Sequence, residues 1–184
     1  MQHGTVAFQG APGAYSHDAC VRLAPHETPR GYDTVPAAIE AVRSGECACA
    51  LVPVEVRPSA PIADNLALVA DAGLHVTADC WIPIRHHLLA APHSVLAGIK
   101  VVKSHPVALA QCAAAISRLK LEPMEASDTA GAARELAESG DPTVAVIASR
   151  TAAELYDLQI LRENLEDEPD NAIRFALVST EPVQ

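Results

Sequence analysis

Asn164 to Thr180 reads NLEDEPDNAIRFALVST. Its first half is acidic and polar, with Pro169 and Asn171 as turn formers, and its second half is an apolar run interrupted only by Arg174. That pattern is a turn entering a buried strand, with one cation carried into the sheet. Further apolar runs of strand length lie upstream at Thr5–Gln9, Ala48–Val54, Ile99–Lys103, Glu122–Ala126 and Thr143–Ala148. Four of these five lead into polar helix starts. Between them lie stretches of helical spacing. TVPAAIEAVRS (34–44) repeats its apolar face at Val35, Ile39 and Val42 and stops at Gly45.

The strand–helix rhythm occurs as two runs joined by an extended segment, Leu74–Ala90. It predicts an α/β fold of two Rossmann-like lobes with parallel sheets and a central cleft. The lobes are expected at about 1–78 with 168–184, and at about 79–167. One helix is expected from Ser104-His105-Pro106 through Leu119, another opening at Ser59-Ala60-Pro61, and a third near Tyr15 that Ser16 or a neighbour could cap. In such sheets ligands sit beyond the carboxyl ends of the strands. Those ends carry Gln9–Gly13, Glu55–Ala60, Ser104–Pro106, Ser127–Thr129 and Ser149. Helix starts there offer free backbone N–H groups to an anion.

Composition narrows the partners. Hydrophobic residues make up 49% and aromatics only 3%, so the core must be aliphatic and base stacking on nucleic acid is disfavoured. The formal charge is −10, which also argues against nucleic acid or an anionic membrane as partner. Cys20, Cys47, Cys49, Cys80 and Cys112 match no zinc spacing and read as reduced thiols in the cytoplasm. Met1-Gln2-His3-Gly4 runs directly into a strand, so no signal peptide is expected, and no apolar run reaches membrane-spanning length. His86-His87 suggests a metal pair only weakly, because neighbours in a strand face opposite sides.

Seven blocks resemble the prephenate dehydratase family, in its order and over nearly the whole chain. They are Phe8-Gln9-Gly10-Ala11-Pro12-Gly13-Ala14-Tyr15-Ser16; Val35–Val42 with Val52-Pro53-Val54-Glu55; Pro83–Leu89; Ser104–Cys112; Asp128–Ala133; Ile147-Ala148-Ser149; and Ala153–Tyr156. Asn171-Ala172-Ile173-Arg174-Phe175 is similar to the family's Asn-x-Thr-Arg-Phe signature. The resemblance implies a type II periplasmic-binding-protein-like pair of lobes, a homodimer, prephenate as the small-molecule substrate, and no metal or organic cofactor. The chain stops just past its last strand, so a regulatory ACT domain and its phenylalanine feedback are not expected.

The departures shape the functional expectation. Ile173 stands where the family keeps its catalytic threonine, Val107 where it keeps a glutamine, and Val56-Arg57 where it keeps Asn-Ser. A threonine hydroxyl can help hydroxide leave; isoleucine cannot, and general acid help is typically worth about 10²–10⁴-fold. The expected reaction is therefore that of a non-aromatising prephenate decarboxylase, a carbon–carbon lyase of antibiotic or peptide natural-product pathways, giving a dihydro-4-hydroxyphenylpyruvate. The alternatives are an aromatising dehydratase giving phenylpyruvate, and a ligand-binding homologue without turnover. In this reading Arg174 clamps the pyruvyl carboxylate. His105 is the candidate proton source and Ile173 lines the ring. Ser16, Glu55, Arg57, Ser104, Val107, Thr129 and Ser149 complete the substrate contacts.

Overall fold

The computed structural model describes residues 4–57 and 64–181. The chain forms two compact units, one from 1–83 with 170–184 and one from 84–169.

The first unit holds β1 (Thr5–Gln9), α1 (Tyr15–Leu23), β2 (Thr28–Tyr32), α2 (Val35–Arg43), β3 (Cys49–Arg57), α3 (Asn65–Asp71) and β4 (His75–Pro83). The second holds β5 (His87–Ala90), a 3-10 turn at Leu96–Gly98, β6 (Val101–Ser104), α4 (Pro106–Gln111), α5 (Ala113–Leu119), β7 (Glu122–Glu125), α6 (Thr129–Ser139), β8 (Val144–Ala148), α7 (Arg150–Leu155) and β9 (Gln159–Arg162). The chain then returns to the first unit as β10 (Ala172–Ser179).

The first sheet has the order β2-β1-β3-β10-β4. β1 pairs in parallel with β2 and β3, whereas β10 runs antiparallel to both β3 and β4. Alternation sorts its side chains between two faces. Phe8, Leu51, Ile82 and Phe175 pack beneath α1, while Ala7, Val52, Val54 and Val178 pack with α2 and α3. The second sheet, β7-β6-β8-β5-β9, is parallel at β7-β6-β8, and β5 is antiparallel to β8 and β9. α4 and α5 cover one face; α6 and α7 cover the other.

Both sheets are therefore mixed, not parallel as expected. The extended segment Leu74–Ala90 holds two strands, β4 and β5, one in each sheet, and both run against their neighbours. The first unit also continues past the expected boundary near 79, because β4 stays paired with β10 as far as Pro83. Other local expectations change too. Ser16 does not cap α1: the N-cap is Ala14, which makes no side-chain cap bond. The helix after Pro106 breaks at Cys112 (φ −118°, ψ 18°) into α4 and α5. The expected helix opening at Ser59-Ala60-Pro61 lies outside the described residues. One glycine is required by close approach: a Cβ on Gly31 would lie 2.4 Å from the Gly10 carbonyl oxygen, where the Gly10 N–H donates to Tyr32 O at 3.0 Å.

Candidate functional site

In the first unit the carboxyl ends of β1 and β3 and the start of β10 come together. The β1 end turns through Gly10–Gly13, and the Gly13 N–H donates to His17 Nδ1 at 3.0 Å. The His17 imidazole stacks on Phe8, centroid to centroid 5.7 Å. This ring pair ties the turn to α1 and places Ser16 one residue away.

A charged strip crosses β3, β10 and β4. Glu55 and Trp81 lie opposite Arg174 on its two flanking strands. Arg174 donates from Nε and Nη2 to the two carboxylate oxygens of Asp79, both at 3.0 Å, and its Nη1 lies 3.7 Å from Glu55 Oε2. The fork expected to hold a substrate carboxylate thus holds Asp79. The same bonds keep the Asp79 carboxyl below its usual range. Next to this, the Arg57 guanidinium lies over the Trp81 ring, its Cζ 3.8 Å from the ring centroid. Asn171, just before β10, is 3% exposed, and its Oδ1 has no hydrogen-bond partner among the described residues.

Ile173 does not share a face with Arg174. It pairs in register with Val56 and Ile82 and packs with Phe175 and Leu177 in the cluster beneath α1. An isoleucine there fills a strand position that buries aliphatic groups.

In the second unit three helix starts lie at strand ends. The His105 ring caps α4, with Nδ1 accepting from the Val107 N–H at 3.2 Å, so the neutral ring carries its proton on Nε2. Asp128 caps α6 by accepting from the Gly131 N–H at 2.6 Å, and Thr129 follows as the first helical residue. Ser149 caps α7 by accepting from the Ala152 N–H at 3.0 Å. Ser104 is fully buried and donates to Ile147 O at 2.7 Å, across β6 and β8. Val107 is 56% exposed on the first turn of α4.

In the Pro83–Leu89 block the two imidazoles make separate hydrogen bonds. His86 donates from Nε2 to Gln111 Oε1 at 2.8 Å, and His87 Nδ1 accepts from the Asn164 N–H at 3.4 Å. The Glu166 side chain, 4% exposed, takes the His86 N–H and the Arg85 guanidinium. Among the described residues no group of three or more candidate ligands could hold a metal. Both imidazoles have pKa values below the ordinary 6.5, first because burial penalises their charged forms. A histidine with a depressed folded pKa adds stability that is complete above the unfolded value and is lost as pH falls below it. The urea midpoint is therefore expected to drop between about pH 7 and pH 5.5, above the range where most carboxylates titrate. Replacing both histidines by glutamine should flatten that drop; an equally steep drop in the double variant would remove the assignment.

Comparison with known proteins settles the lineage. A family model described as Prephenate dehydratase matches residues 6–183. The chain belongs to the prephenate dehydratase family. It is 39% identical over 177 residues to a bifunctional N-acyl-homoserine lactone acylase/prephenate dehydratase of Komagataeibacter europaeus, covering 96% of this chain and 63% of that one. It is 36% identical to arogenate dehydratase/prephenate dehydratase 1 of Arabidopsis thaliana, over 97% of this chain and 45% of the relative. The crystal structure of prephenate dehydratase from Arthrobacter aurescens, in complex with L-Phe, superposes with a TM-score of 0.85 at 31% identity, over 95% of this chain and 60% of that one. The two α/β lobes with mixed sheets are those of the prephenate dehydratase catalytic fold, of the type II periplasmic-binding-protein-like kind. The chain spans 45% to 63% of the length of these curated relatives. No helix among the described residues is long and apolar enough to cross a membrane.

These relatives correct the expected reaction. The proteins alike across nearly the whole chain are named as prephenate or arogenate dehydratases, which are carbon–oxygen lyases. The expectation of a non-aromatising decarboxylase, a carbon–carbon lyase of antibiotic pathways, is withdrawn. It rested on Ile173, Val56 and Val107 standing where the family keeps polar groups; Ile173 packs in the cluster beneath α1, on the face of the sheet opposite Arg174.

Sequence reasoning passed over Asp79, Trp81 and His17. Asp79 and Trp81 sit two residues apart in a stretch read as a crossing, where alternation could have placed them on one face. His17 lies within a recognised block but carries no motif of its own.

Proposed function

We propose that this chain is an aromatising dehydratase acting on prephenate or its amino-acid counterpart arogenate. The observation that carries the reading is 36–39% identity, over 96–97% of this chain, to proteins named for those activities. In the reaction the ring C–C bond to the carboxylate breaks and its electron pair enters the ring. The ring hydroxyl leaves with a proton as water, and CO2 is the other product. Prephenate would yield phenylpyruvate, and arogenate would yield phenylalanine.

Ile173 has no proton to give. His105 Nε2–H, fixed as the donor by the Val107 bond at Nδ1, is our candidate for protonating the departing hydroxyl. The helix starts at His105, Asp128 and Ser149 supply anion-binding dipoles. The Arg174–Asp79–Glu55 network orders the strand ends. We further place the enzyme in the cytoplasm as a homodimer; its five free thiols suit a reducing compartment.

Incubation of the purified protein with prephenate, and separately with arogenate, tests the reading by chromatography of the products. Phenylpyruvate from the first or phenylalanine from the second is the expected result. Consumption of neither substrate overturns it.

A further inference from the structure

The first unit carries five arginines, Arg22, Arg30, Arg43, Arg57 and Arg174, and no lysine. Arg30 pairs with Glu46, Arg43 with Glu40, and Arg174 with Asp79 and Glu55. Arg22 donates to the Trp81 carbonyl at 3.4 Å. Of these five, Arg57 alone has no carboxylate or carbonyl acceptor among the described residues. It lies instead at the carboxyl end of β3, with its guanidinium over the Trp81 ring. Open α/β sheets bind ligands at such strand ends.

A guanidinium held over an indole face by cation–π attraction leaves its N–H groups free for an acceptor. The aromatic face restricts the long side chain without consuming a donor. The neighbouring cation, Arg174, faces two carboxylates, so its local sum is negative. An anion arriving at this strand end meets one uncompensated fork.

From this we infer that Arg57, held in place by Trp81, is the residue that receives a carboxylate of the substrate, and that Arg174 is a positioning residue. The inference rests on the reading of the substrate as a cyclohexadienyl carboxylic acid, and it departs from the expectation that Arg174 is the clamp. Trp81 is likewise a positioning residue, acting through Arg57.

Trp81 is the sole tryptophan of the chain, so its emission reports directly on the stack. The probes are 3-phenylpropionate and its uncharged amide, neither of which the enzyme can turn over. The carboxylate should change Trp81 emission saturably, and the amide should not. Arg57→Gln should weaken the carboxylate response about tenfold to a hundredfold, the loss expected for a charge-assisted hydrogen-bonded pair. With prephenate, Arg57→Gln and Trp81→Leu should raise KM by a similar factor while kcat changes far less, and Trp81→Phe, which keeps an aromatic face, should recover most of the Trp81→Leu loss. Far-UV circular dichroism shows whether each variant is folded.

Equal responses to acid and amide, or an undiminished response in folded Arg57→Gln, would overturn the inference. A variant that does not fold is replaced by Arg57→Lys, which keeps the charge but not the fork and should still lose at least threefold in affinity. Because the probes are not substrates, carboxylate binding through Arg57 can hold even if prephenate is not consumed; the two readings therefore fail separately.

Discussion

Phe175→Ala is expected to destabilise the protein by about 3–5 kcal/mol, measured as a shift in urea midpoint at unchanged slope. Phe175 is 1% exposed in the fourth strand of the first sheet, with Pro53 and Cys80 opposite it on β3 and β4. Beneath α1 it packs with Phe8, Leu51 and Ile82. Strands paired on both sides cannot slide inward to fill the space, so the cavity term is added to the transfer term. The chain has only two phenylalanines, and both stand in this cluster. Phe175→Leu should cost clearly less, because most of the volume remains. A loss under about 1 kcal/mol for alanine would mean that the cluster relaxes and does not set the position of β10. Arg174 is the preceding residue, so activity should fall with stability in this series.

Arg174→Met should lower kcat/KM by about a hundredfold, the scale on which small misplacements at a reacting site act. Removing the fork leaves Asp79 and Glu55 without their shared cation, beside the Arg57 fork inferred above to receive the substrate carboxylate. The two carboxylates then oppose the substrate charge and no longer draw β3 and β4 toward β10. The second half of that cause is separable. Asp79→Asn in the Arg174→Met background removes one repelling charge and should regain a measurable part of the loss. A double-mutant cycle over Arg174 and Asp79 gives the coupling directly. Arg174→Lys should fall between, since one ammonium cannot span both Asp79 oxygens. Retention of more than about a third of wild-type kcat/KM in Arg174→Met would exclude a role for the network in this reaction.

Much of the fold is legible from local pattern. Val35, Ile39 and Val42 mark α2, Gly45 ends it, and Pro106, Asp128 and Ser149 announce helix starts that the structure contains. Strand direction is not legible in the same way. An apolar run such as Ala172–Ser179 looks alike whether its neighbours run with it or against it. The antiparallel placement of β10 between β3 and β4 is decided by long-range pairing. For the same reason the partner of Arg174 was missed: Asp79 lies 95 residues away, in a segment that looked like a connector. The two-residue alternation of a strand is legible at Ile173-Arg174. Adjacent residues in a strand face opposite sides, so Ile173 does not line a ring held on the Arg174 face.

The discontinuous first unit has a consequence for synthesis on the ribosome. Residues 84–169 are contiguous, so the second unit can complete its sheet as soon as it emerges. The first unit cannot. Until Ala172–Ser179 is made, β3 ends in an open edge and β4 has no partner in its sheet. Its nascent intermediate is three parallel-paired strands waiting, through the whole translation of the second unit, for a strand that must insert between β3 and β4. Exposed edges of that kind are templates for wrong pairing. Chains that stall or are cut before residue 170 should therefore accumulate as aggregates in which the second unit is folded and the first is not.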